Sequence, residues 1–257
     1  VYKRQINKEC EKQRKRHKII LMMDLGDIRE GYVDEEELIA AAVETEKLSH
    51  VDLYGIGTNL TCFSFIQADE EKMERLAEMR KKVENAAGHT LEIVSGGNSA
   101  ALDLMMRGGI CEGVDNFRLG ESLLFGKERS RYTFLPGTRN DGFILECEVV
   151  EAKVKPSLPW GTAGIDSYGR KPVFTDRGDR RKKVICAIGR QDFDAETTTP
   201  VDEGILILGA SSDHLMLDVT DSVKEYKVGD IVELRLGYFS VLRAFTSPYV
   251  EKIFLKK

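Results

Sequence analysis

From His17 to Asp24 the chain reads HKIILMMD, an unbroken apolar run of the kind that forms a strand buried on both faces. Glu35–Leu48 then sets Leu38, Ala41, Ala42 and Thr45 at helical spacing. Val51–Leu60 (VDLYGIGTNL) predicts a second strand. Asp69–Ala87 predicts a helix with Met73, Leu76, Met79, Arg80 and Val83 along one side. A third strand is expected over Leu91–Ser95 (LEIVS), a helix over Ser99–Met106, and a fourth strand opening at Asn116–Leu119 (NFRL). Strand–helix–strand spacing of this kind means right-handed parallel βαβ units, in a barrel or a doubly wound sheet.

The pattern changes near Arg139. Short β-rich runs follow at Gly142–Ala152, Lys182–Ile188, Gly204–Leu208, His214–Val219, Ile231–Leu236 and Val250–Leu255, with no helix of useful length expected between them. The sequence thus divides into an α/β domain over 1–138 and an antiparallel β domain over 139–257, with Lys155–Asp179 (which holds Trp160) as a long connection. The front end opens at Val1 without a Met, inside a charged stretch, Lys3–Lys18, that reads as a helix feeding the first strand. Four βα units cannot close an eight-stranded barrel. The expectation is therefore an N-terminally truncated chain, the alternative a complete four-stranded layer.

Composition narrows the class. Of the 257 residues, 42% are hydrophobic and 32% charged, which excludes disordered and fibrous chains. No apolar run approaches the ~18 residues that cross a bilayer, and the basic start has no apolar stretch behind it, so it is not a signal peptide. The net charge of −5 argues against a nucleic-acid footprint. Glu9 and Glu11, interleaved in the basic front stretch, make it a solvated helix face. The 5 cysteines are scattered and never form a CxxC pair, which suits buried thiols in a reducing cytosol. The 4 histidines are too dispersed to nominate a metal site, and no metal is expected.

Ligands of parallel α/β layers sit at the carboxyl ends of the strands. Those ends read Asp24–Gly31 (D-L-G-D-I-R-E-G), Gly57–Asn59, Ser95–Ser99 (S-G-G-N-S) and Arg118–Ser122 (R-L-G-E-S). In the third, two glycines let backbone N–H groups approach an anion, and Asn98 or Ser99 can cap the next helix, whose N-terminus favours negative charge. Gly120 and the N–H groups after it offer a second donor set. Each feature alone is also what a tight connection looks like. Arg29 and Arg118 would project toward the same mouth, where a planar cationic fork suits an anion or a ring nitrogen, although either residue could equally make an ordinary surface ion pair.

These motifs, with G-I-G-T-N-L-T-C, F-R-L-G-E-S-L-L-F-G and L-G-A-S-S-D-H, resemble the alanine racemase superfamily, and within it most closely the ornithine racemase branch, over nearly the whole chain. The resemblance implies a pyridoxal 5'-phosphate enzyme built from a TIM-type barrel and a C-terminal β domain. It implies that Ser99 and the backbone of Gly120, Glu121 and Ser122 hold the cofactor phosphate. Arg118 would face the pyridine nitrogen, Arg29 would lie near the phenolic oxygen, and Asn59 would replace the family's ring-stacking His. Tyr238 is a further candidate phosphate ligand. Ser211–Asp213 falls where the family binds the substrate carboxylate, and the β domain would complete the site of a partner copy in a homodimer. An arginine cannot give up its proton, so a ring nitrogen facing it stays unprotonated and the ring is a weaker electron sink. A carbanion of short life favours return of the proton over transamination.

Two departures stand out. No segment matches the superfamily's Schiff-base lysine, so the chain alone is expected to be inactive. Where alanine racemases read G-Y-A-D, this chain reads Gly189-Arg190-Gln191-Asp192, leaving Asp192, Asp213, His214 and Tyr168 as candidates for the second base. Asp192 could equally be a turn residue. A carboxylate at Asp213 or Asp192 would also pair with the distal ammonium of a diamino acid, which makes ornithine the expected substrate. The alternatives are an alanine or broad-specificity racemase, a non-catalytic cofactor-binding protein, and an unrelated phosphate-binding barrel enzyme. The β domain favours the racemase.

Overall fold

The first apolar run becomes β1 (His17–Met22), and with β2 (Val51–Gly57), β3 (Ile93–Asn98) and β4 (Asn116–Arg118) it forms a parallel sheet in the order β1-β2-β3-β4. This is a computed structural model, and it describes residues 2–166 and 169–255. Tyr168 lies outside the described residues. The chain divides into two compact units, Val1–Thr138 and Arg139–Lys257.

Helices cover the first sheet for reasons visible in the sequence. An amphipathic α1 spans Tyr2–Gln13. The next helix, α2 (Glu35–Glu46), begins where the Asp34 carboxylate accepts the Glu37 N–H at 2.9 Å. In the same way Asp69 caps α3 (Glu70–Ala87), which stops at Gly88 in the left-handed conformation. The stripes Leu38, Ala41, Ala42, Thr45 and Met73, Leu76, Met79, Val83 are buried, most of them against Leu21, Leu53, Ile56 and Val94 of the sheet. Arg80 leaves that face: its guanidinium donates to the Leu91 carbonyl at 3.0 Å and to Glu84 at 2.9 Å.

One expected boundary is corrected. The Gly-Gly pair is not a turn before a helix but part of β3. A Cβ on Gly96 would stand 2.6 Å from Val114 and 3.0 Å from Phe117, so only glycine lets the strand lie against them. Gly97 has φ +125, a conformation closed to other residues, at an irregularity in the β3–β4 register. The expected Ser99–Met106 helix is a 3-10 turn (Ser99–Ala101) leading into the short α4 (Leu102–Met106), and α5 (Glu121–Phe125) is equally short.

The second unit is a six-stranded antiparallel sheet, β7-β10-β5-β6-β9-β8, made of β5 (Ile144–Lys155), β6 (Arg181–Cys186), β7 (Thr198–Pro200), β8 (Leu206–Ala210), β9 (Leu215–Asp218) and β10 (Ile231–Leu236). Its core gathers Val149, Val184, Leu215, Leu217, Val232 and Leu234. A helix does occur here, contrary to expectation: α6 (Tyr238–Thr246), which buries Ser240 and Ala244 one turn apart. The strand expected over Val250–Leu255 is absent, and Ile253, Phe254 and Leu255 are exposed. Among the described residues no helix is long and apolar enough to cross a membrane, and no group of three or more His, Cys, Asp or Glu could hold a metal ion.

Candidate cofactor and active site

The ends of β2, β3 and β4 are tied together by Arg118, the last residue of its strand. Its Nη1 donates to Ser95 Oγ, and its Nη2 donates to the Thr58 carbonyl at 2.8 Å and to Asn59 Oδ1 at 3.5 Å. Five hydrogens are available to a guanidinium, and these three bonds leave two without a partner among the described residues. Burial pushes the Arg118 guanidinium below its ordinary value, with Glu30 pulling the other way and Arg29 adding to the fall. The fork is a fixed cation rather than a waving surface side chain.

Asn59 is buried beside it. Its Oδ1 receives hydrogens from Asn98 Nδ2 at 2.9 Å as well as from Arg118, so its own NH2 must face away from both donors. There that NH2 meets no partner among the described residues, and the same is true of Thr58 Oγ1 on the same turn. A buried donor left unmade costs roughly 1–3 kcal/mol. Two such orphans side by side fit a ligand that brings its own acceptors.

A second cluster lies just past the ends of β3 and β4. The Ser99 Oγ accepts the N–H groups of Gly120 (3.3 Å) and Ser122 (3.1 Å), and it stands 3.0 Å from Ser122 Oγ. Nothing lies within 4 Å of the position a Gly120 Cβ would take, so the backbone is open on that side. Hydroxyls and backbone N–H groups with no carboxylate among them make a donor set suited to a phosphate. The cradle rests on these groups, not on a helix dipole, because α4 and α5 are too short to sum many peptide dipoles. Glu121 turns away to Arg129 at 3.5 Å; burial pushes its carboxyl up, while Arg129 and Lys127 pull it down. The donors present thus fit pyridoxal phosphate at both ends, ring and phosphate.

Arg29 is brought near Arg118 electrostatically, yet its guanidinium forks onto Glu30, with Nη2 2.7 Å from Oε1, and holds that carboxyl below the usual range. The loop that carries it is anchored by Asp27. This buried carboxylate accepts the N–H groups of Cys62 (3.2 Å), Phe63 (3.2 Å) and Ser64 (3.1 Å). Asn98 makes the cap expected of it, and its further bonds, like the anchoring by Asp27, were not foreseen. For Asn98 the signal was its place in S-G-G-N-S; for Asp27 its partners lie 35 to 37 residues away, beyond any local pattern.

The remaining candidates belong to the second unit. Asp192 closes a turn onto the Gly189 carbonyl (2.9 Å) and is buried, accepting Ser247 Oγ at 2.6 Å. Asp213 is exposed and accepts from Ser212 (3.1 Å), His214 Nδ1 (3.1 Å) and Ser211 (3.2 Å), which together hold its carboxyl below the usual range. Tyr238 opens α6, its ring edge-to-face with Phe239 at 5.5 Å.

A parallel βα layer with a donor-lined site at its strand ends, followed by an antiparallel β unit, defines a class, and residues 2–128 match the alanine racemase N-terminal domain. The chain belongs to the alanine racemase N-terminal domain family. It is 44% identical over 247 residues to the ornithine racemase of Acetoanaerobium sticklandii, covering 96% of this chain and 70% of that protein. It is 42% identical over 247 residues to the lysine racemase of Thermotoga maritima, covering 96% and 68%. Among solved structures it is similar to the alanine racemase of Clostridium difficile 630, with a TM-score of 0.56 and 20% identity over 91% of this chain. The chain spans 59% of that structure's length.

Proposed function

We propose that the chain carries the cofactor site and β unit of a pyridoxal-phosphate-dependent amino-acid racemase, an isomerase whose substrate is ornithine. The observation that supports this most is the convergence of Arg118, Asn59, Ser99, Gly120 and Ser122 on adjoining strand ends, with buried donors there that no group among the described residues satisfies.

In this reading Ser99, with the backbone of Gly120, Glu121 and Ser122, holds the phosphate, and Tyr238 is a further ligand. Arg118 holds the ring nitrogen as a hydrogen-bond acceptor, and Asn59 fixes the ring's edge. Arg29, oriented by its fork with Glu30, lies near the phenolic oxygen. When bound, the ring supplies an electron sink for the pair left when the α-proton departs. The Arg118 guanidinium cannot donate its proton outright, which keeps that sink weak and favours return of the proton to carbon. Asp213, whose carboxylate accepts three hydrogen bonds, pairs with the distal ammonium of the substrate, and Asp192 is the candidate second base. The lysine that anchors the cofactor covalently is not at any of the four strand ends. The 1–138 unit is read as the cofactor-binding βα unit and 139–257 as the β domain of a cytoplasmic homodimer.

The test is incubation of the full-length protein and pyridoxal phosphate with L-ornithine, followed by chiral chromatography, with lysine and alanine as competitors. Racemisation of ornithine ahead of both is expected. Failure to take up the cofactor would remove the reading.

A further inference from the structure

We infer that Asn98 is a positioning residue that sets Asn59 as a hydrogen-bond donor toward the ring of the cofactor; this rests on the pyridoxal-phosphate reading above. Neither amide hydrogen of Asn98 is idle. Its Nδ2 faces Asn59 Oδ1 at 2.9 Å, the Leu60 carbonyl at 2.9 Å and Cys62 Sγ at 3.2 Å. Its Oδ1 accepts the Ala100 N–H at 2.8 Å, which caps the turn leading out of Ser99. One side chain therefore joins the loop after β2 to the end of β3 and to the phosphate-side turn.

The consequence falls on Asn59. A carboxamide can rotate by half a turn at little cost, exchanging oxygen for NH2. With Asn98 and Arg118 both presenting hydrogens, only the oxygen can face them. The NH2 is thereby locked toward the side where no acceptor stands among the described residues, and its nitrogen is fully shielded from solvent in a residue 6% exposed. The acceptor it lacks belongs to the ligand. Asn98 does not itself reach that ligand; it acts by choosing which end of Asn59 does.

The substitution Asn98→Asp separates this role from a structural one. A carboxylate keeps the acceptor for Ala100 N–H and so keeps the cap. It loses both hydrogens, however, and sets an oxygen against Asn59 Oδ1. Asn59 then turns its NH2 inward and presents oxygen to the ligand. In the full-length protein, pyridoxal 5'-phosphate affinity is measured by equilibrium titration alongside the thermal midpoint without cofactor. Asn98→Asp is expected to weaken binding at least tenfold with little change in the apo midpoint. In an Asn59→Ala background the same change should weaken binding less than twofold, because the two residues act as one. Unchanged affinity in Asn98→Asp, or equal losses in both backgrounds, overturns the inference. Absence of binding by the unsubstituted protein would instead overturn the cofactor reading itself. Should Asn98→Asp fold poorly, the Asn98→Gln variant, which retains an NH2 on a longer arm, is expected to bind less well than the unsubstituted protein and better than Asn98→Ala. Equal binding by the three rejects the role.

Discussion

The hydroxyls of Ser99 and Ser122 lie 3.0 Å apart, both buried, at the ends of neighbouring strands. Ser99 also gathers two backbone N–H groups from the Gly120–Ser122 turn, so a single oxygen marks where four donors meet. Replacing it with alanine removes one hydroxyl and leaves the two N–H groups without their common acceptor. A hydrogen bond to a charged group contributes about 1.5–3 kcal/mol. The Ser99→Ala protein should bind pyridoxal phosphate about 10- to 100-fold more weakly, as read by equilibrium titration. Undiminished affinity would place the phosphate elsewhere.

The carboxylate of Asp27 holds the loop of Arg29 against the loop after β2 through three backbone N–H groups. Asn in its place offers one acceptor and turns an NH2 toward donors. The expected cost is about 2 kcal/mol, or roughly 5 °C in thermal midpoint for a chain of this size. Proteolysis should quicken between Leu60 and Ile66 before it does elsewhere in the first unit. A midpoint unmoved by Asp27→Asn would mean the two loops are held by other contacts.

In the second unit, Asp218 is 1% exposed; burial pushes its carboxyl up, but Arg181 at 2.8 Å and Thr220 outweigh that and hold it below the usual range. A carboxyl depressed on folding stabilises the protein above its unfolded pKa of about 3.9, and that contribution fades as pH falls through the lower folded value. The sheet should therefore lose stability steeply below about pH 4. Asp218→Asn should flatten that dependence and, because Arg181 keeps Asp221, cost about 2–3 kcal/mol at neutral pH. Denaturant melts at several pH values check both.

Asp213 is expected to recognise the distal ammonium of ornithine. Asp213→Ala in the full-length enzyme should lower kcat/KM for ornithine by about 10- to 100-fold, the equivalent of about 1.5–3 kcal/mol, and change alanine turnover little. Equal losses on both amino acids would assign Asp213 to the turn alone.

Much of the α/β unit could be read directly from residue spacing. The stripes of α2 and α3 and their Asp caps are local patterns, and local patterns settled them. The misreadings have a shared origin in contacts made at long range. Gly96 looks like turn chemistry until Val114 and Phe117 are seen pressing on it. Tyr238–Thr246 is rich in aromatic and β-branched residues, which favour strands, yet it is a helix, whose Ser240 hydroxyl bonds the distant Asp194 and Thr198. Val250–Leu255 has a strand's pattern but pairs with no strand among the described residues. Of the site, the residue types and their strand ends were legible; the rotation of Asn59 and the grip of Asn98 were not, since both depend on partners 38 or 39 residues distant.

Arg118 reaches back 60 residues to the Thr58 carbonyl, so the ring side of the site exists only once β4 has docked on β3. Local fragments of the sheet should thus have no affinity for the cofactor, and occupancy becomes thermodynamically linked to completion of the fold. A ligand at a hundred times its dissociation constant adds about 2.7 kcal/mol to unfolding. Cofactor supply in the cell would then govern how long the polypeptide survives degradation as well as how fast it turns over.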